Sequence, residues 1–189
     1  LGGLTSLDLG YNGLGDAGAE HLARLGGLTS LNLGVNNLGD AGAKHLARLG
    51  RLTNLDLSGN MLCTGGAEHL TRLSRLTSLS LRVNFLGDAA WTKLLSAYRG
   101  GPWSGTLRRL DLTGNPISLP AEVLKLSDPA VLAEAWETGT RGNEAKVVLL
   151  GDGAAGKSNL RRRLVGVGLD DVELDGWSAR GWDLAFAVD

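Results

Sequence analysis

A 24-residue repeat constrains the fold of this 189-residue chain more than any other feature of the sequence. Leu4, Leu28, Leu52 and Leu76 each begin the same pattern, in which leucines alternate with polar residues before a turn. A fifth copy begins at Leu107, after a seven-residue insertion in the fourth copy. Consecutive copies of one pattern predict a stack of similar units, each of which packs against its neighbours.

An Asn follows the leucines at the same place in all five copies. The column comprises Asn12, Asn36, Asn60, Asn84 and Asn115. An Asn side chain can accept hydrogen bonds from N–H groups and donate to C=O groups, so it can satisfy the backbone of a turn. Leucines that flank a short strand and lead to such an Asn resemble the leucine-rich repeat family.

The second half of each copy predicts a short helix. In the first copy the helix runs from Asp16 to Leu25, with Asp16 as its N-cap, and Asp40, Thr64 and Asp88 fill the same position later. A strand and a full helix in each unit resemble the ribonuclease-inhibitor-like subclass of leucine-rich repeats. This resemblance implies an α/β fold, a right-handed β-α superhelix with strands on the concave side and helices on the convex side.

The octet 151–158 has the form of a phosphate-binding P-loop. It reads Gly151, Asp152, Gly153, Ala154, Ala155, Gly156, Lys157, Ser158, and it follows the apolar run Val147–Leu150. Glycines let successive N–H groups point at phosphate oxygens beside the positive end of a helix dipole. We therefore expect residues 151–159, through Asn159, to bind a nucleotide. Lys157 reaches the β- and γ-phosphates, and Ser158 places its hydroxyl on Mg²⁺.

The order of the repeat array and the P-loop along the chain adds a second resemblance. A repeat array followed by the stretch from Asn143 to Leu160 resembles the Roco family, in which repeats precede a Ras-like GTPase domain called Roc and a dimerising domain called COR. The resemblance implies that GTP or GDP and Mg²⁺ are the cofactors and that Lys157 is the catalytic residue at the terminal phosphates. It also implies a homodimer formed through a domain beyond Asp189.

One position departs from the Ras-like pattern. Ras-like domains close a Thr over Mg²⁺ in the GTP state, and the nearest match in this chain has Ala179 in its place. Either Ser178 serves instead, or the loop closes abnormally. This departure affects the expected rate of hydrolysis more than nucleotide binding.

These features divide the chain into three parts. Residues 1–126 are the leucine-rich-repeat array, truncated at its N-terminus, and residues 127–143 are a connector with a short helix that begins at Ser127, Asp128 and Pro129. Residues 144–189 open a P-loop α/β domain of the Roc type. Too few residues follow the connector to complete a parallel sheet, so we expect a fragment that does not hydrolyse GTP by itself.

The predicted concave face is small and polar, with Tyr11 as the single nearby aromatic residue. Its outward residues are Ser6, Asp8, Gly10, Ser30, Asn32, Gly34, Asn54, Asp56, Ser58, Ser78, Ser80, Arg82, Arg109, Asp111 and Thr113.

Trp91 and Trp103 bracket the insertion and are expected to fill a widened core. His21, His45 and His69 share one register; repeat copying explains this column, since no Cys or carboxylate cluster completes a zinc site.

Composition narrows the function classes. The net charge is −1, no apolar run is long enough to span a bilayer, and the single cysteine, Cys63, cannot form an internal disulfide, so we expect a cytoplasmic protein. Arg161–Arg163 predicts a solvated or domain-contacting helix face rather than a nucleic-acid site. Three functions remain open: a Roco-like GTP-binding signalling protein whose repeats bind a protein partner, a repeat scaffold with a vestigial P-loop, and a STAND-type ATPase.

Overall fold

The computed structural model describes residues 3–140, which form an α/β solenoid of five strand-containing units. The strands are β1 (Ser6–Asp8), β2 (Ser30–Asn32), β3 (Asn54–Asp56), β4 (Ser78–Ser80) and β5 (Arg109–Asp111). The helices are α1 (Gly15–Leu22), α2 (Asp40–Leu46), α3 (Thr64–Leu70), α4 (Asp88–Arg99), α5 (Ala121–Leu124) and α6 (Pro129–Thr140). Strands and helices alternate as the repeat predicts.

The five strands form one parallel sheet in the order β1-β2-β3-β4-β5. The register pairs equivalent positions of neighbouring repeats, so that Leu31 lies opposite Leu55 and Leu55 opposite Leu79. These central leucines are buried, whereas the residues on either side of them point to the other face. Side chains alternate between the two faces of a strand, and each strand therefore contributes one leucine to the core and two polar residues to solvent.

The Asn column links each repeat to the one before it, as the sequence predicts. Asn60 is buried, and its Oδ1 accepts hydrogen bonds from the N–H groups of Asn36 (3.1 Å) and Leu38 (3.0 Å). Its Nδ2 donates to the carbonyl oxygens of Leu33 and Leu57, each at 3.0 Å. One side chain thus satisfies backbone groups of two adjacent turns that are buried away from water.

The insertion in the fourth unit packs into the core. Trp91 and Trp103 are both fully buried, which confirms the prediction that they fill this region. The indole N–H of Trp103 donates to the carbonyl oxygen of Leu73 at 3.1 Å. The insertion therefore extends the core, and its polar atom has a partner in the preceding repeat.

The prediction that Asp16 caps its own helix is wrong. Helix α1 begins at Gly15, so Asp16 lies within its first turn, and its Oδ1 accepts hydrogen bonds from the N–H groups of Gly39 and Gly42, both at 2.8 Å. These two amides are at the start of α2, in the next repeat. The same contact across a repeat boundary recurs in the pairs Asp40–Cys63 and Asp88–Ser118. The aspartates thus join repeats rather than close single helices.

Helices α5 and α6 cover the last strand. The carbonyl oxygen of Ser127 accepts a hydrogen bond from Leu110 of β5 at 2.9 Å, and Leu132 of α6 is fully buried in the same core as the repeats. Helix α6 starts as the sequence predicts, because Asp128 Oδ1 accepts from the N–H of Ala130 at 2.9 Å. Among residues 3–140, no helix has the length and apolar character needed to cross a membrane.

Helix α6 also contacts helix α4 through side chains of two kinds. The rings of Trp91 and Trp136 meet edge to face, with centroids 6.5 Å apart. Arg99 at the end of α4 forms an ion pair with Glu137 of α6. The helix that leads out of the array is therefore packed against it.

Candidate functional site

The solvent-facing side of the sheet, which we call the strand face, carries an open groove of about 460 Å³. The groove crosses β2 to β5, and its polar lining comprises Ser30, Asn32, Asn54, Asp56, Ser58, Ser78, Ser80, Arg82, Arg109 and Asp111. All ten are among the outward residues that the sequence predicts. The side chains on this face are polar because each strand places its leucine on the opposite side.

The carboxylates of the groove are held by their own strands. Oδ1 of Asp56 accepts from the N–H (2.8 Å) and the hydroxyl (2.5 Å) of Ser58, and Asp111 holds Thr113 in the same way. The guanidinium groups of Arg82 and Arg109 are exposed and, within residues 3–140, form no ion pair. The groove therefore offers two solvated cations and half-buried carboxylates to a polar partner.

An apolar rim runs along the edge where the strands end. Among residues 3–140, the exposed large apolar side chains are Tyr11, Val35, Met61, Val83 and Phe85, with exposed fractions of 83, 40, 49, 56 and 62%. All five lie in the loops between a strand and the following helix. Repetition of these loops aligns the five side chains along one edge of the groove, and we call this set the apolar rim.

At three of the five rim residues the backbone is held in a left-handed conformation. Tyr11, Val35 and Val83 have φ angles of 61°, 56° and 51°, and Gly59 and Gly114 take the same conformation in the other two repeats. The cause is the solenoid itself: the N–H of Val35 donates to Ser58 of the next repeat at 2.8 Å, and Val83 donates to Thr113 at 2.8 Å. Because β-branched residues are rarely found at positive φ, the two valines are strained.

Sequence reasoning found only one residue of this rim, Tyr11. It missed Phe85, Val83, Val35 and Met61 because the repeat pattern alone does not show on which side of a loop a side chain lies. The sequence does contain a signal: the repeat position that Val35 and Val83 occupy is filled by Gly59 in the third copy. A position that alternates between Gly and a large apolar residue indicates a surface position rather than a core position.

The described part of the structure does not test the predicted Mg²⁺ site or the predicted nucleotide site. Residues 151–159, with Lys157, Ser158 and Asn159, lie outside the described residues, as do Ser178 and Ala179. Within residues 3–140, no three His, Cys, Asp or Glu side chains are grouped closely enough to hold a metal ion. Cys63 is a free, exposed thiol.

Comparisons with protein families agree with the fold. Residues 2–62 match a family model described as Leucine rich repeat, and residues 105–120 match a second model described as Leucine Rich repeat. These segments contain β1 to β3 and β5. A search of curated proteins returned no match. Residues that match the family models also form the solenoid, and the array of this chain therefore has leucine-rich-repeat character.

Proposed function

We propose that the array is a protein-interaction module that binds its partner through the groove of the strand face and the apolar rim. The observation that carries this proposal is the rim itself. Five large apolar side chains stand in solvent along one edge of the groove, at two loop positions where other copies of the repeat carry Gly, Asn or Pro. Aligned exposed apolar side chains beside polar groups are typical of surfaces that bind other proteins.

The strain at Val35 and Val83 supports a role in binding rather than in stability. A left-handed conformation destabilises a non-Gly residue by about 1 to 2 kcal/mol, and Gly relieves this strain. The chain itself uses Gly at this position twice, at Gly59 and Gly114. Valines that are both strained and exposed lower the stability of the free chain, whereas burial beneath a partner offsets that cost.

The proposal is tested by replacing rim residues with residues that other copies of the repeat carry at the same positions. In the variant Val83→Gly/Phe85→Asn, each position takes the residue of another copy, Gly59 or Asn37, and circular dichroism checks that the variant folds. Peptides are selected from a displayed random library on the unaltered chain, and their Kd values are then measured. We expect the selection to yield apolar peptides. Their affinity should fall about tenfold or more in the variant, as is usual when contacts at the centre of an interface are removed.

The control for this test is Thr92→Ala, on the exposed face of α4 and away from the rim. It should leave the Kd unchanged. Selected peptides that bind the rim variant and the unaltered chain equally would show that the rim is not the binding surface.

We further propose that the array belongs to a Roco-like GTP-binding protein of the cytoplasm, whose residues 151–159 bind GTP or GDP with Mg²⁺. The octet 151–158 supports this proposal, since its glycines and Lys157 have the spacing of a P-loop. Lys157 stabilises charge at the terminal phosphates, and Ser158 ligates Mg²⁺, so catalysis rests on positioning and electrostatics. The single cysteine is consistent with a cytoplasmic location.

Nucleotide binding to the full-length protein separates this proposal from its alternatives. We expect GTP to bind more tightly than ATP and the binding to be lost in Lys157→Ala, as measured by equilibrium dialysis with labelled nucleotides. A preference for ATP instead supports the STAND-type ATPase. Absence of binding supports a repeat scaffold with a vestigial P-loop.

A further inference from the structure

Exposed arginines gather on the edge of the sheet opposite the apolar rim. They lie in the turns that lead from each helix to the next strand, in segments 23–29, 47–53, 71–77 and 105–108, which contain no Asp or Glu. The six arginines are Arg24, Arg48, Arg72, Arg51, Arg75 and Arg108, all exposed, and we call this set the arginine edge. Asp16, Asp40 and Asp88 lie at helix starts on the other edge, whereas Glu20 and Glu68 lie one helical turn before Arg24 and Arg72, and Asp128 lines a pocket with Arg108.

Repetition of the turn geometry places five of these arginines in two columns, one of Arg24, Arg48 and Arg72 and one of Arg51 and Arg75, and Arg108 lies in neither. The N–H groups of Arg24, Arg48 and Arg72 donate to the carbonyl oxygen three residues earlier, at 3.3, 3.2 and 3.3 Å, so the three turns are alike. Arg51 and Arg75 lie two residues before Thr53 and Thr77, which are joined by a hydrogen bond of 2.8 Å between strands. Neighbouring strands are about 4.8 Å apart, so Arg51 and Arg75, just before β3 and β4, are closely spaced like charges.

Local structure does not explain the arginine edge. Within residues 3–140 none of its guanidinium groups forms an ion pair, and Arg108 donates only to the carbonyl oxygen of Gly105, at 3.0 Å. The helix dipole favours a cation near a helix C-terminus, which accounts for the column of Arg24. It does not account for Arg51 and Arg75, which lie beyond the helices. A row of unpaired like charges lowers the stability of the free chain by repulsion.

We propose that the arginine edge binds an acidic segment of a protein partner. Guanidinium groups pair with carboxylates through two parallel hydrogen bonds, and a row of them matches a run of Asp or Glu. The four turns contain no aromatic residue, and Trp103, just before the last turn, is buried and cannot stack on a nucleobase of a nucleic acid. The exposed apolar side chains that could anchor a membrane lie on the opposite edge. This surface is distinct from the groove and rim, so either proposal can fail without the other.

The test uses a fluorescein-labelled peptide of alternating Glu and Ser with about ten glutamates, titrated with the whole chain. We expect binding that weakens as salt rises, because the contacts are electrostatic. The double variant Arg51→Glu/Arg75→Glu should weaken binding about tenfold or more. The control is Lys93→Glu, an exposed lysine of α4 that lies outside both the groove and the arginine edge, and this variant should leave affinity within about twofold.

Two further measurements keep the proposal falsifiable. Arg51→Gln/Arg75→Gln removes the charge without reversing it and should give a smaller loss in the same direction, and circular dichroism checks that both variants fold. A single-stranded oligothymidylate or phosphatidylserine vesicles should bind more weakly than the peptide. Tighter binding of either probe overturns the proposal, as does an equal loss in Lys93→Glu or no binding of the peptide.

Discussion

Single side chains of this array act across repeat boundaries, and Asp40 is an instructive case. Its carboxylate lies against the start of α3 in the next repeat, where it accepts a hydrogen bond from Cys63. A Cβ atom added at Gly66 would lie 2.6 Å from Oδ1 of Asp40. In the following repeat the equivalent pair is Thr64 and Ala90. The chain thus carries Gly where the preceding repeat supplies Asp16 or Asp40, and Ala where it supplies the uncharged Thr64.

This pairing gives a prediction for Gly66→Ala. The added methyl group must displace the Asp40 carboxylate, and we expect the free energy of unfolding to fall by about 1 to 3 kcal/mol despite the better helix propensity of Ala. In Asp40→Thr/Gly66→Ala, which copies the Thr64–Ala90 pair, part of the loss should be recovered. Urea unfolding of both single variants and the double variant measures the coupling. Additive effects would show that the two residues do not interact.

At the same scale the sequence predicted the role of the Asn column and the burial of the repeat leucines, because both follow from one periodic pattern. It could not predict the contact made by Asp16. An Asp before a run of helix formers indicates a cap, but a 24-residue period leaves open whether the cap serves its own helix or that of the next repeat. The position of the next helix start decides this, and that position depends on packing.

At the scale of secondary-structure elements, helix α6 shows how a connector is fixed to the array. Its burial rests on Leu132 and Ala133, and its orientation on the contacts of Trp136 and Glu137 with α4. The sequence predicted the start of this helix from Asp128 and Pro129. It could not show the contact with Trp91, which joins residues far apart in the chain.

We therefore expect Trp136→Ala to release α6 while the repeats stay folded. Loss of the edge-to-face contact and of the indole's buried surface should destabilise the docked helix by about 2 kcal/mol. Amide hydrogen exchange should accelerate in residues 129–140 and remain unchanged in β3. Glu122→Ala, which removes only the exposed ion pair with Lys125, serves as the control and should have little effect. Equal acceleration throughout the array would argue against a separately docked helix.

At the scale of the whole molecule, the two ends of the described array differ. Leu7 and Leu9 of the first repeat are only partly buried, whereas Leu110 and Leu112 of the last strand are fully buried beneath α5 and α6. Solenoid stability is approximately a sum of repeat terms and nearest-neighbour interfaces. A repeat with one covered face is therefore less stable than one with two.

When residues 1–189 are produced alone, local unfolding should begin at the first repeat. The N–H of Leu9 donates to Asn32 at 2.9 Å and that of Leu57 to Ser80 at 2.9 Å, so the two amides have equal hydrogen bonds in different positions along the array. We expect Leu9 to exchange its amide hydrogen about tenfold faster or more, because only its repeat opens in local fluctuations. Equal rates would show that the array unfolds as one cooperative unit.

The cover over β5 also limits how copies of the chain can assemble. The N–H of Leu110 already donates to Ser127, so this strand offers fewer free backbone groups to a neighbouring molecule. Head-to-tail polymerisation needs an open strand edge at each end of the sheet. The sheet of residues 3–140 therefore disfavours filament growth through β5.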